Sequence, residues 1–423
     1  MLGTYRLRTW VEDGAGRFAM VRPVGRLSGP SNCPGHHFCE WCPPGNLRYA
    51  ISMRANGTLG PGGQRLLLSP VGLALTLLTA LAVLAIGLKH PYNNWDEIGY
   101  VAVALSTEGH HGASLNEATY SSLRNAVDTA TFDQLIQGDY RATVFHDPTS
   151  LQQQLPFYSI RVLYIQSLKV VHALGFDYPE ATHVVSATFA ALSVLLLGAL
   201  CVRLRAPIAS LPFIVLACGL LDIARLSTPD AMACFFSLWT VYALIKKSPM
   251  VFILAALLPL VRTDALILSL LVLAYTFVSG RKAMSAVSAI AAGALYLFAT
   301  LSNGGYGWLT LFNMSFINKT PYPATLISSH VLGDYVRPYI SMGGHFILHP
   351  DFVIFGLALA RLLLKRARGT VDDTAPMITL CLSFVAIHML LFPADSYRFF
   401  VFAAAASLTV LVAEPYVAVR VAP

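Results

Sequence analysis

Charge is what this sequence has least of: Asp, Glu, Lys and Arg make up 12% of its 423 residues, against roughly 25% in an ordinary soluble domain. With 56% hydrophobic residues and a mean hydropathy of +0.60, this excludes a soluble globular fold and points to an all-α polytopic integral membrane protein in a lipid bilayer. A disulfide framework is also lacking. Of seven cysteines, Cys201, Cys218, Cys234 and Cys381 fall in apolar segments, where Cys acts as a small buried hydrophobe. No Gly-rich phosphate loop occurs, which argues against direct use of a nucleotide. No internal repeat is evident, and no short apolar core stands near residue 1, so no cleavable signal is expected. The formal charge of +7 reads as basic cytoplasmic loops, not as a nucleic-acid surface.

Residues 1–65 are rich in Arg, Gly and Pro and lack a sustained apolar period, which predicts a disordered cytoplasmic tail. Within it, Cys33, His36, His37, Cys39 and Cys42 have the close spacing a tetrahedral zinc site uses. The ordinary reading is favoured, because no flanking element orients these ligands. Met53 is an alternative start, and residues 1–52 are then not part of the mature fold.

The transmembrane domain is expected over 66–423. Arg48, Arg54 and Arg65 precede its first apolar run and place that end in the cytoplasm. The following segment, 90–179, becomes a long outer loop with an acidic bias. Within it, 156–175 is amphipathic and carries Arg161, Lys169 and His172. As a span it would bury two cations at about 2.5 to 3.5 kcal/mol each. It would also put Arg203 and Arg205, Lys246 and Lys247, and Arg281 and Lys282 outside. Read instead as an outer interfacial helix, it keeps all of them inside. Ten spans follow: 66–88, 180–202, 207–223, 229–245, 249–262, 264–280, 283–301, 350–364, 375–392 and 397–413. A second outer loop covers 302–349.

This topology gathers polar residues on one face. Asp96 and Glu97 follow the first span, and Asp222, Arg225 and Asp230 lie between the third and fourth. Arg262 and Asp264 flank a tight turn, Asp395 and Arg398 lie between the ninth and tenth spans, and Arg337 and Lys319 lie in the second outer loop. Ionisable groups at a membrane boundary are functional candidates, because leaving them unpaired in hydrocarbon is costly. Each also has an ordinary reading. Asp96, Glu97 and Asp230 suit a helix N-terminus, Arg262 and Asp264 suit a mutual ion pair or snorkelling, and Arg398 suits a boundary anchor.

In combination these motifs resemble the GT-C superfamily of membrane glycosyltransferases. They are Asp96-Glu97 after the first span, the helix start Ser227-Thr228-Pro229-Asp230, the turn Arg262-Thr263-Asp264, and Tyr397-Arg398-Phe399. The likeness is to the branch using polyprenyl- or dolichyl-phosphate sugars, which includes protein mannosyltransferases and aminoarabinose transferases. It runs from about Leu66 to the C-terminus and is carried by short motifs in order. In place of the family's His- or Lys-Pro-Pro stands Gln153-Gln154-Leu155-Pro156-Phe157-Tyr158. The donor-phosphate contact then passes to Arg161, Arg262 or Arg398, with Arg337 a further candidate.

The resemblance implies inverting transfer of a sugar from a polyprenyl-phosphate donor to a glycan, lipid or protein acceptor at the outer face of a bacterial cytoplasmic membrane. Asp96 is the expected base. Glu97, Asp230 and Asp264 are expected to support the acceptor or a divalent cation, though no residue spacing requires a metal. A guanidinium would grip the departing phosphate in two places. Two other classes share parts of this pattern. A transporter predicts ionisable residues near the midplane on repeated, broken helices. A polysaccharide polymerase or ligase predicts essential Arg and His in 303–349 and a dispensable Asp96.

Overall fold

The computed structural model describes residues 70–301, 303–369, 374–394 and 396–421, with side chains to 413, and two short strands near the N-terminus. The chain divides into units 1–58 and 59–423. In the first, β1 (Trp10–Glu12) pairs antiparallel with β2 (Phe18–Met20), Val11 opposite Ala19. The cysteine and histidine cluster at 33–42 and the alternative start at Met53 lie outside the described residues.

The second unit contains nineteen α-helices among the described residues. α1 (Pro70–Lys89) leads into α2 (Trp95–Ser106), α3 (Gly112–Ala126), α4 (Thr129–Ile136), α5 (Asp139–His146), α6 (Pro148–Ser159) and α7 (Val162–Ala173). The chain continues through α8 (Tyr178–Leu204), α9 (Leu211–Ala217), α10 (Leu220–Arg225), α11 (Asp230–Ile245), α12 (Met250–Val261), α13 (Leu266–Val278) and α14 (Lys282–Thr300). It ends in α15 (Trp308–Phe312), α16 (Leu332–Leu348), α17 (Pro350–Ala367), α18 (Ala375–Leu391) and α19 (Val401–Val421).

Three of these helices, α1, α8 and α14, are long and apolar enough to cross a membrane. α16 and α17 meet the same test only as a pair, and they bend by 81° at their junction. Seven further apolar helices run 10–17 residues. α1 buries Thr76, Ala80, Val83 and Gly87 while exposing Val71, Leu78 and Leu81. An apolar stripe left in the open is costly in water and natural in lipid, and the chain is a membrane protein. α8 is the hub: α1, α7, α10, α11 and α19 all pack against it. The close approach has a sequence cause, since a Cβ on Gly87 would lie 2.7 Å from the Ala224 carbonyl and 2.8 Å from the Ala187 Cβ.

Three expectations change. The run 207–223 is not one helix: Gly219 sits at φ 73° and separates α9 from α10. The stretch 156–175 is not one helix either, because the chain turns at Ile160 and Arg161, between α6 and α7. That turn lets α7 bury Tyr164, Ile165 and Leu168 while Val170 on it, and Leu174 and Phe176 just after it, stay exposed. Finally, 90–179 is a folded helical cap. Asp128 and Asp147 accept the Thr131 and Thr149 backbone N–H groups as helix N-caps. Ile98, Tyr120, Leu123, Phe132, Leu135, Val144 and Leu151 form its own small core.

Within the cap, α2 and α6 pack closely at Gly99, where a Cβ would meet the Tyr158 ring at 2.4 Å. Gly99→Ala is therefore expected to destabilise the protein by about 1 to 3 kcal/mol through overpacking. A melting curve in detergent measures this, and adding Tyr158→Ala should recover part of the loss.

Candidate active site

The connection after α1 sets the site. Tyr92 donates its backbone N–H to the Arg225 carbonyl at 2.8 Å, and Arg225 Nε donates to the His90 carbonyl at 2.7 Å. These ties hold the start of α2 beside the start of α11. Asp96, in the first turn of α2, thereby comes to face residues up to 302 positions away.

The charges form one chain of contacts. Arg398 donates from Nη1 to Asp96 Oδ2 at 2.9 Å, and its Nε lies 3.5 Å from Asp230 Oδ2. Arg262 donates from Nη1 to the other oxygen of Asp230. Its Nε and Nη2 grip Asp264 in a fork at 3.0 and 2.8 Å. His388 Nε2 meets Asp264 Oδ2 at 3.0 Å. Phe399 lies beneath both guanidiniums, 4.2 Å from Arg262 Cζ and 5.3 Å from Arg398 Cζ. Such cation–π contacts favour a partly desolvated guanidinium. Three carboxylates and two guanidiniums pair one another and leave one net negative charge, with each carboxylate beside a guanidinium, as groups kept at an apolar boundary require.

Exposure differs along the chain. The Asp230 carboxyl is 2% exposed and Arg262 9%, whereas Asp96 and Arg398 are 28% and 27% exposed. The accessible end is therefore Asp96 and Arg398. Tyr158 reaches toward Asp96 Oδ1 at 3.5 Å, and burial holds its hydroxyl well above the usual tyrosine range, so it stays a donor. Above this end, Trp95 packs edge-on against Tyr140 at 5.6 Å. Lys319 Nζ stands 4.6 Å from the Tyr140 ring centre. The segment carrying Lys319 is tied down where Ser150 Oγ and Gln154 Nε2 donate to the Pro321 carbonyl at 2.6 and 2.9 Å.

The sequence-selected residues thus divide. Asp96, Asp230, Arg262, Asp264 and Arg398 come together. Glu97 points away into a buried cluster with Ser227 and His183. Burial pushes its carboxyl up to about 8, opposed in part by the Ser227 hydrogen bond. Arg161 donates to the Phe157 carbonyl at 3.2 Å, and Arg337 is exposed on α16; neither shares in the network. Asp395 lies outside the described residues. Tyr158 and Phe399 stand in motifs named from the sequence but carry no role there, and His388 is not among the residues named from it. His388 had a usable signal, being an ionisable residue within an apolar run.

The divalent cation gains no donor set. The oxygens of Asp230 are taken up by Arg262, Thr228 and Arg398 and those of Asp264 by Arg262 and His388, and among the described residues no group of three or more His, Cys, Asp or Glu is placed to hold a metal ion.

Fold and site together define a helical membrane protein with a charge-paired site where a helical cap meets the bundle. No family model, curated protein or solved structure matches the chain.

Proposed function

We propose that the chain is an inverting glycosyltransferase that moves a sugar from a polyprenyl-phosphate donor to an acceptor hydroxyl or amide at the outer face of a bacterial cytoplasmic membrane. The observation that carries this reading is the pairing of Asp96 with Arg398 at the accessible end of the network. In a single displacement, Asp96 takes the proton of the acceptor as its oxygen or nitrogen bonds to the anomeric carbon. The bond from that carbon to the phosphate oxygen breaks, and the lipid phosphate leaves with the electron pair. Arg398 stabilises the charge it gains: Nη1 and Nε face Asp96 and Asp230, while Nη2 carries none of these contacts.

All the nitrogens of Arg262 face carboxylates, so its part is to hold Asp230 and Asp264 in register rather than to bind the donor. Ten spans with an outward-facing cap fit the short helices, and the exposed apolar end of α7 fits a seat in the outer interface. Grooves between such helices suit the polyprenyl tail.

Replacing Arg398 by Lys keeps the charge and removes the planar fork. The expected result is a rise of about 10-fold or more in the KM for the lipid donor with a smaller change for the acceptor. An unchanged donor KM would move the phosphate contact elsewhere.

A further inference from the structure

Beside Asp96 in the chain lies a buried polar cluster that the proposed chemistry leaves unused. Glu97 is 0% exposed. Its Oε2 accepts from Ser227 Oγ at 3.2 Å, and its Oε1 is buried with no hydrogen-bond partner. The Ser227 hydroxyl has a single proton and also lies 3.3 Å from Asn94 Oδ1, so it serves one of these oxygens at a time. His183 Nε2 is 3.7 Å from Glu97 Oε1, too far for a hydrogen bond, and stands 2.8 Å from Asn93 Oδ1. The proton on Nε2 is therefore directed at Asn93. Among the described contacts the carboxyl receives at most one hydrogen bond, and no cation holds it. Arg398 and Arg262 are engaged by Asp96, Asp230 and Asp264. The other groups facing it are Tyr164 from α7, whose buried hydroxyl is also unpartnered, and His183 from α8. An ionised carboxylate with one donor and no counter-charge is costly in such a place.

We infer that Glu97 is carried as the neutral carboxylic acid, a positioning residue whose Oε2 proton is donated to Ser227 Oγ, which frees the Ser227 proton for Asn94 Oδ1 and so fixes the turn that presents Asp96. The covalent path is short. Asn94 is the N-cap of α2, Asp96 and Glu97 share its first turn, and Ser227 stands just ahead of α11, which begins with Asp230. A carboxyl at about 8 is mostly protonated at neutral pH, consistent with this state. The aim given to Asp96 rests on the function proposed above; the proton on Glu97 does not.

The test uses the full chain in detergent. At pH 7 the wild type should show the infrared carbonyl band of a buried protonated carboxylic acid, and Glu97→Gln should lack it. The folded acid binds its proton up to about pH 8 while the unfolded one releases it near 4.5. Native stability contributed by this proton is thus full below about 4.5, falls as pH rises through that window, and is flat above about 8. Gln has no such dependence. The Tm of Glu97→Gln minus that of the wild type should therefore grow from pH 5 to pH 8.5 by at least about 5 °C.

For the positioning role, Glu97→Ala should speed amide hydrogen exchange over 92–98 while Glu97→Gln does not. Ser227→Ala makes the same cut from the other side should Glu97→Ala fail to fold. No band together with a Tm difference constant in pH would overturn the inference by showing Glu97 ionised. A band present with exchange unaltered in Glu97→Ala and Ser227→Ala would equally overturn it. None of these measurements reads sugar transfer, so a failure of the glycosyltransferase reading would appear separately.

Discussion

Asp96→Asn should lower sugar transfer by about 10²- to 10⁴-fold, the usual contribution of a positioned general base, with expression, membrane insertion and Tm little altered. The substitution keeps size and shape, and the amide oxygen still accepts a hydrogen bond from Arg398 Nη1. What is lost is a charge on a side chain that is 28% exposed, paired to one that is 27% exposed. The pair is only partly buried and Arg398 keeps Asp230 Oδ2 at 3.5 Å, so the loss of stability should be smaller than for the buried Arg262 pair. Stability and activity should thus separate cleanly. The assay is release of polyprenyl phosphate from the donor, alongside a melting curve of the same sample. Full activity in Asp96→Asn would remove the proposed base and favour the polymerase or ligase reading, in which Asp96 is dispensable.

The second large effect is structural. Arg262→Ala should destabilise the protein by about 3 to 5 kcal/mol, the cost of breaking a buried pair by removing one partner. Most of this is expected from Asp230, which is 2% exposed and left with Arg398 Nε at 3.5 Å as its remaining cation. Asp264 contributes less, since it is 27% exposed and keeps His388. A fall in Tm of roughly 5 to 15 °C is the readout. Arg262→Met combined with Asp230→Asn removes both charges and should be more stable than Arg262→Ala, because no unpaired carboxylate remains buried. Equal stability of the two variants would show that the ion pair contributes nothing beyond packing.

The residues that form the network were legible one at a time. Asp96, Asp230, Arg262, Asp264 and Arg398 each stand at the end of an apolar run, where a charge is conspicuous because hydrocarbon penalises it. The Arg262 and Asp264 pairing was visible too, from two residues flanking a tight turn. Their assembly was not, because hydrophobic runs say where helices begin and end, not which helix ends meet. Asp96 and Arg398 are 302 residues apart. Phe399 reads as core by type, and nothing local marks it as the surface under two guanidiniums. Tyr158 lay in a stretch taken for a single interfacial helix, and its place beneath Gly99 depends on the turn at Arg161.

The membrane class and helical fold followed from composition, whereas the folded state of 90–179 did not. Its segments run 8 to 15 residues, so each holds too few turns for an apolar helical period to stand out in the sequence. The N-caps Asp128 and Asp147 were the local signals available there. Gly219 was likewise an ordinary residue in an apolar run until its positive φ split that run in two.

The most direct measurement of the central claim is mass spectrometry of lipid-linked sugars and surface glycans in cells with the wild-type chain, with Asp96→Asn, and with no copy. The account predicts that one sugar modification is present only with the wild type, and that its polyprenyl-phosphate donor accumulates in the other two. Identical glycans and an identical donor pool in all three would contradict it.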